Sequence, residues 1–409
     1  MVEKNNLLSK KNLIFLFVLM TIIGAFWSWK SSGVLMMSKA WEAYPTGFSS
    51  MIHDYNWPIM SENYYYLSQC EAFRGATSSI LTGGIGGFEI QRSLYAVFCN
   101  IFWFLGTMGS MWMTNVVCWF LSGMSLSYFI KKQGGSSRQQ WMAFLLVLGG
   151  QGFLYSVGEF SPHVMGYSFQ FWILGLCAYF NIWSKESSHY DVMLMYGLIG
   201  LMQFAYNSAW LSLPILMYFH YQRGMRLQHV VIGLCLATIP YLMFISGYKI
   251  LYPNSTNILK SATVDYNTFT YIVDFIKTYT LGMIENIVSF YGVLMCCALA
   301  GIGVFKKYRS FLIIFLIQLL IATRFNMAYG LGKGYVVFNI IALLYVIASE
   351  ALSNVTSKFK LCFILGAYYF FAYSPFLIKN NFFLQIFEQG IFFTLNQLHQ
   401  WGPYAIHLF

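Results

Sequence analysis

The sequence predicts an all-α polytopic membrane protein with about 11 transmembrane helices. A long first periplasmic loop is expected to hold interfacial helices and a re-entrant segment. Three observations predict this class. The 409-residue chain is 58% hydrophobic and 9% charged, with a mean hydropathy of +0.58, whereas a soluble domain carries about 25% charged residues. Its apolar runs are continuous over about the 20 residues that a spanning helix needs, without the alternation of barrel strands. Its basic residues also segregate by face, as the positive-inside rule requires.

The spans are expected at about 12–29, 111–130, 139–157, 164–184, 192–206, 208–222, 229–252, 286–305, 310–324, 335–352 and 361–378. Residues 192–222 also fit one long or broken helix. Lys10 and Lys11 precede the first apolar run and no small-residue cleavage site follows, which predicts an uncleaved first span. With the N-terminus cytoplasmic, the inside loops hold 14 of the 24 basic residues and four acids: Glu3, Glu186, Asp191 and Glu350. The other face holds ten of each sign. Basic residues at the inner face are topology signals rather than contacts to nucleic acid. The eight cysteines show no CxxC or Cys/His spacing, so no metal-ligand pattern and no disulfide framework are predicted.

The periplasmic stretch 30–110 is the distinctive part. Residues 30–92 cannot span and hold Glu42, Asp54, Glu62, Glu71 and Glu89. From Glu62 to Phe73 there is no Gly or Pro, and Gly75 ends the run, which predicts an interfacial helix with its tyrosines at headgroup level. Residues 76–88 are too glycine-rich for a helix. Residues 93–108 are predicted as a re-entrant or surface helix, because a span there puts Lys131 and Lys132 outside. Further outer segments are 253–285, the Arg324–Gly334 turn and the aromatic C-terminal tail 379–409. No internal repeat or low-complexity linker is visible, so a single integral membrane domain over 1–409 is expected.

These residues carry a resemblance. The chain shows Glu62-Asn-Tyr-Tyr-Tyr-Leu, Ala72 and Gly75, then Arg92-Ser-Leu-Tyr95, Asn115 and Lys131-Lys132-Gln-Gly134. Over about residues 40–135 this order resembles polytopic glycosyltransferases of the GT-C type. Within them it looks most like the serotype-converting O-antigen glucosyltransferases of phages and enteric bacteria, a narrower likeness that rests on length and topology. Two departures stand out: the leading acid is Glu where Asp is commoner, and Ala96 stands where Pro is usual. The resemblance implies transfer of a sugar, glucose in the narrower likeness, from a polyprenyl-phosphate donor to a polysaccharide or lipid-linked acceptor. It implies an inner-membrane location, with membrane lipids as neighbours and the active face periplasmic.

Such a transfer needs a carboxylate base, cations for the phosphate leaving group and an aromatic platform. Glu62 is the first choice for the base, although a helix-start acid is favoured there by the helix dipole alone. Asp54 is a second base, a metal ligand beside Glu62 or a loop acid. Together the two carboxylates can hold a divalent cation such as Mg²⁺ or Mn²⁺, but nothing in the sequence requires one. Arg92 suits a phosphate fork or an interfacial anchor, and Arg324 with Lys333 suits a phosphate clamp. Glu159 and His163 bracket a turn at the outer face, where His163 can relay protons or bind the acceptor, or simply start a helix. Trp57 and Tyr65 can stack on a sugar, although such residues enrich at every membrane interface. Three alternatives stay open, one of them a nonenzymatic membrane scaffold. An O-antigen polymerase or ligase usually carries its long outer loop later in the chain, and a transporter or flippase calls for repeats, broken helices and charges buried in spans.

Overall fold

The computed structural model describes residues 7–30, 93–157, 162–224, 226–251, 291–328 and 339–378, with single positions 279 and 283. Its helices sort into two compact units. The first comprises 1–148 and 152–258, the second 149–151 and 259–409.

In the first unit, α1 spans Lys10–Lys30, α2 Ser93–Asn100 and α3 Gly106–Lys132, with a 3-10 turn at Trp103–Leu105. Then come α4 (Ser137–Leu148), α5 (Gln151–Val157) and α6 (His163–Tyr179). They are followed by α7 (His189–Met202), a 3-10 turn at Asn207–Ser212, α8 (Leu213–Gln222) and α9 (Leu227–Leu251). Local chemistry sets the boundaries. Lys131 and Lys132 occupy the last turn of α3, at the negative end of its dipole, and Gly134 takes the φ of +78° that ends the helix. Ser188 and Asp191 form a reciprocal capping box at the start of α7. A proline sits in the first turn of α8, where its missing N–H costs nothing.

Side-chain pairs give the helix directions. Phe17 meets Phe120 and Gly24 faces Val116, so α1 and α3 are antiparallel. The Trp119 indole donates to the Val147 carbonyl at 2.8 Å and the Ser127 hydroxyl to that of Gln140 at 3.1 Å, so α4 runs back along α3. Ser168 donates to the Cys118 carbonyl, and Gly175 lies against Ser125, so α6 is parallel to α3. Likewise α7 and α9 are parallel. Gly233 lies under the Tyr196 ring, Gly200 lies against the Leu236 carbonyl, and Gln203 donates to the Ala237 carbonyl.

The second unit holds α10 (Tyr291–Ala298), α11 (Ile302–Lys307), α12 (Arg309–Ala328), α13 (Ala342–Ser353) and α14 (Lys358–Ile378). Buried Tyr368 donates to the Tyr345 hydroxyl at 3.1 Å, joining α14 to α13.

The expected count of about 11 spans is overturned. Among the described residues, two helices are long and apolar enough to cross a membrane: Gly109–Lys132 and Leu227–Phe244. For several of the expected spans the physical reason is breakage. A helix rises 1.5 Å per residue, so about 30 Å of hydrocarbon needs about 20 residues. The stretch 139–157 divides at Gly149-Gly150 into helices of 12 and 7 residues. The stretch 192–222 divides into a 14-residue helix, a 3-10 turn and a 10-residue helix. The described part of 286–305 carries helices of 8 and 6 residues, and Ala342–Ser353 is apolar but only 12 residues long. Hydropathy averages across such breaks, whereas backbone geometry does not.

Candidate functional site

At one end of the first unit, α6 starts at His163 directly after Pro162. The His163 imidazole is buried. It stacks on Tyr167 (ring centroids 6.4 Å apart, 16° between planes) and meets the Tyr206 ring edge-on at 5.7 Å. Two features place Tyr206 there. Its backbone is extended (φ −157°, ψ 118°) just after α7 ends, which turns the chain toward α6. Gly166 then leaves room for the ring, since a Cβ at that position lies 2.6 Å from it. The Tyr167 hydroxyl accepts a bond from Ser156 at 3.5 Å.

Deeper along α6, Gln170 donates to the Leu211 carbonyl at 3.4 Å. Its side-chain oxygen and the hydroxyls of Ser208 and Ser212 are buried and find no hydrogen-bond partner among the described residues. An unmatched buried polar atom costs about 1–3 kcal/mol, so this seam between α6 and the 207–212 turn suits a polar ligand group.

A second contact brings in α2. The Leu94 amide donates to the Phe204 carbonyl at 3.1 Å, two residues before Tyr206, and the Tyr95 hydroxyl donates to the Asn115 side chain at 3.2 Å. The segment that follows Arg92 is therefore bonded to the end of α7 and to α3, beside the His163 corner.

Of the site residues expected from sequence, His163 is described in full and lies in this corner. Arg324 lies on α12 in the second unit, and its side chain is outside the described residues. Asp54, Trp57, Glu62, Tyr65, Arg92, Glu159 and Lys333 are also outside them, as are the predicted interfacial helix, the outer segment 253–285 (apart from positions 279 and 283) and the C-terminal tail. Sequence reasoning missed Tyr167, Gln170 and Tyr206. Its one signal was Tyr206-Asn-Ser interrupting an apolar stretch. Among the described residues, no group of three or more His, Cys, Asp or Glu side chains could hold a metal ion.

The corner offers an imidazole between two aromatic faces and a polar floor. That set can stack on a sugar ring and relay a proton. It supplies no carboxylate among the described residues. No protein-family model, curated protein or solved structure matches this chain.

The second unit has a separate charged locus. Glu350 accepts from the Lys307 ammonium at 2.7 Å and from the Tyr308 hydroxyl at 2.5 Å. Burial is the largest single influence on the Lys307 pKa and lowers it, but the hydrogen bonds to Glu350 and Tyr308 and the charge of those partners together outweigh it, and the net shift is upward.

Proposed function

We propose that the chain is a glycosyltransferase of the bacterial inner membrane. It transfers a sugar, glucose by the narrower resemblance, from a polyprenyl-phosphate donor to a surface polysaccharide such as O-antigen at the periplasmic face. The observation that carries this reading is the ordered series Glu62-Asn-Tyr-Tyr-Tyr-Leu, Ala72, Gly75, Arg92-Ser-Leu-Tyr95 and Asn115, whose last two members are joined by the buried Tyr95–Asn115 hydrogen bond. A membrane setting is supported by α9, which exposes Val231, Ile232, Leu236, Ile239, Leu242 and Met243.

In this reading Glu62, with Asp54 as the alternative, takes the proton from the acceptor hydroxyl as it attacks the anomeric carbon. The bond to the donor phosphate breaks, and Arg92 holds the departing phosphate charge. His163, Tyr167 and Tyr206 supply a stacking corner for the acceptor sugar. The test is Glu62→Gln, with Asp54→Asn in parallel, at membrane levels equal to wild type. Sugar transfer from polyprenyl-phosphate donors is read by mass spectrometry. Loss of transfer in Glu62→Gln is expected, and full transfer in both variants removes the proposed base.

One observation favours a transporter as the second reading: the helix break at Asn207–Ser212 beside unmatched Gln170, Ser208 and Ser212. A wild-type protein that transfers nothing from any donor moves that reading ahead.

A further inference from the structure

The starts of α7 and α9 converge with the end of α8, and these three helix ends bring together five basic side chains. The His189 and His229 rings lie 4.4 Å apart, and His229 stacks on His220 at 6.5 Å with 22° between planes. The Arg223 guanidinium donates to the Ser187 carbonyl, and its other nitrogen meets His189 Nδ1 at 3.2 Å. That contact leaves Nδ1 of a neutral His189 as the acceptor. Tyr196 holds His220 Nδ1 at 3.3 Å. His229 Nδ1 is buried and finds no hydrogen-bond partner among the described residues. His189 and Arg226 are exposed, so a solute can reach the cluster.

The charge is not balanced locally. Asp191 is committed to the capping box at the start of α7, and the other nearby acid, Glu186, lies in the exposed turn with Lys185. Among the described residues, neither Arg223 nor Arg226 has a carboxylate within ion-pair distance. Other ionisable groups on the packed elements are the phenols of Tyr190, Tyr218 and Tyr221 and the Cys177 thiol of α6 behind Tyr196. Phenols and thiols are ordinarily uncharged at neutral pH. The parallel run of α7 and α9 also aims two positive dipole ends at the same place.

We infer that His189, His220, His229, Arg223 and Arg226 form a proton-coupled binding site for a tetrahedral oxyanion of the phosphate class, either free or as a lipid headgroup. The arginines supply fixed charge and fork geometry. His189 and His220 take up protons as the anion arrives, because the anion offsets the Arg223 charge that lowers the pKa of His189 and, after burial, that of His220. By linkage, binding tightens as pH falls through the histidine range.

The experiment uses the full chain in neutral detergent, titrated calorimetrically with sulfate and with inorganic phosphate at pH 5.8 and pH 7.8. Sulfate keeps its charge across that interval and so isolates protonation of the protein. A parallel arm measures retention in nanodiscs of phosphatidylcholine with or without phosphatidic acid. Sulfate affinity is expected to rise about tenfold for each pH unit over which one imidazole gains a proton. It should be lost in Arg223→Gln and in His229→Gln, and kept in the neighbouring surface variant Lys185→Gln. That result supports a free oxyanion as ligand. Low-pH retention of phosphatidic acid alone, lost in the same two variants, supports the headgroup as the source. Binding equal in wild type and Arg223→Gln, binding insensitive to pH, or no binding in either arm overturns the inference. If Arg223→Gln does not fold, as judged by its thermal transition at pH 7.8, His229→Gln carries the test.

Discussion

The hydroxyl of Tyr95 donates to the side-chain oxygen of Asn115 across 3.2 Å, with both residues fully buried. This bond ties the short helix α2 to the middle of α3. An eight-residue helix is about 12 Å long, too short to hold its place by its own backbone bonds. Its position therefore depends on this side-chain tie and on the Leu94–Phe204 backbone bond.

Tyr95→Phe removes a donor while leaving its buried acceptor in place. The expected cost is about 1 kcal/mol, seen as a lower thermal midpoint in detergent. Labelling of the buried Cys99 thiol near the end of α2 should rise in parallel. An unchanged midpoint with unchanged accessibility would show that α2 is held by other contacts.

Gly200 and Gly197 lie three residues apart on α7 and should respond oppositely to alanine. A Cβ at Gly200 meets the Leu236 carbonyl oxygen at 2.7 Å, and that atom belongs to the backbone of α9, so it cannot rotate away. Gly200→Ala should destabilise by about 1–3 kcal/mol. At Gly197 nothing lies within 4 Å, so Gly197→Ala should gain about 0.5–1 kcal/mol from helix propensity. Thermal unfolding of the two variants side by side checks the pair. Equal shifts would contradict the close α7–α9 crossing.

Acid should weaken the first unit through its histidines. The pKa of His189 is lowered from 6.5 mainly by Arg223, and that of His220 by burial and then by Arg223. Both imidazoles are thus harder to protonate in the folded chain than in the unfolded one. Their stabilisation is present above about pH 6.5 and is lost as pH falls through their lowered folded values. Melting midpoints in low-salt buffer should drop between pH 7 and pH 5. The double variant His189→Asn/His220→Asn should show a shallower drop. A profile of the same slope in the variant would assign the acid sensitivity to other groups.

Some of this was legible in the residues. Lys131-Lys132-Gln-Gly134 marks the end of α3, because two cations and a left-handed glycine are what a helix C-terminus selects. The apolar runs announce helices and place His163 at a helix start. The number of membrane-long helices was not legible, because Gly149-Gly150 and the Asn207–Ser212 turn carry little weight in a hydropathy window. Nor was the His163 corner, whose members Ser156, Tyr167 and Tyr206 come from three separated segments.

By itself, then, the sequence determined the helical class and where helices start and stop near charged and glycine residues. These are local or additive properties, readable one segment at a time. The tertiary structure decided which segments run parallel, which glycines let rings and backbones approach, and that His189, His220 and His229 share one cluster with Arg223. Such relations depend on contacts between residues far apart in the chain. They follow from how side chains of given shape pack together, which no single segment records.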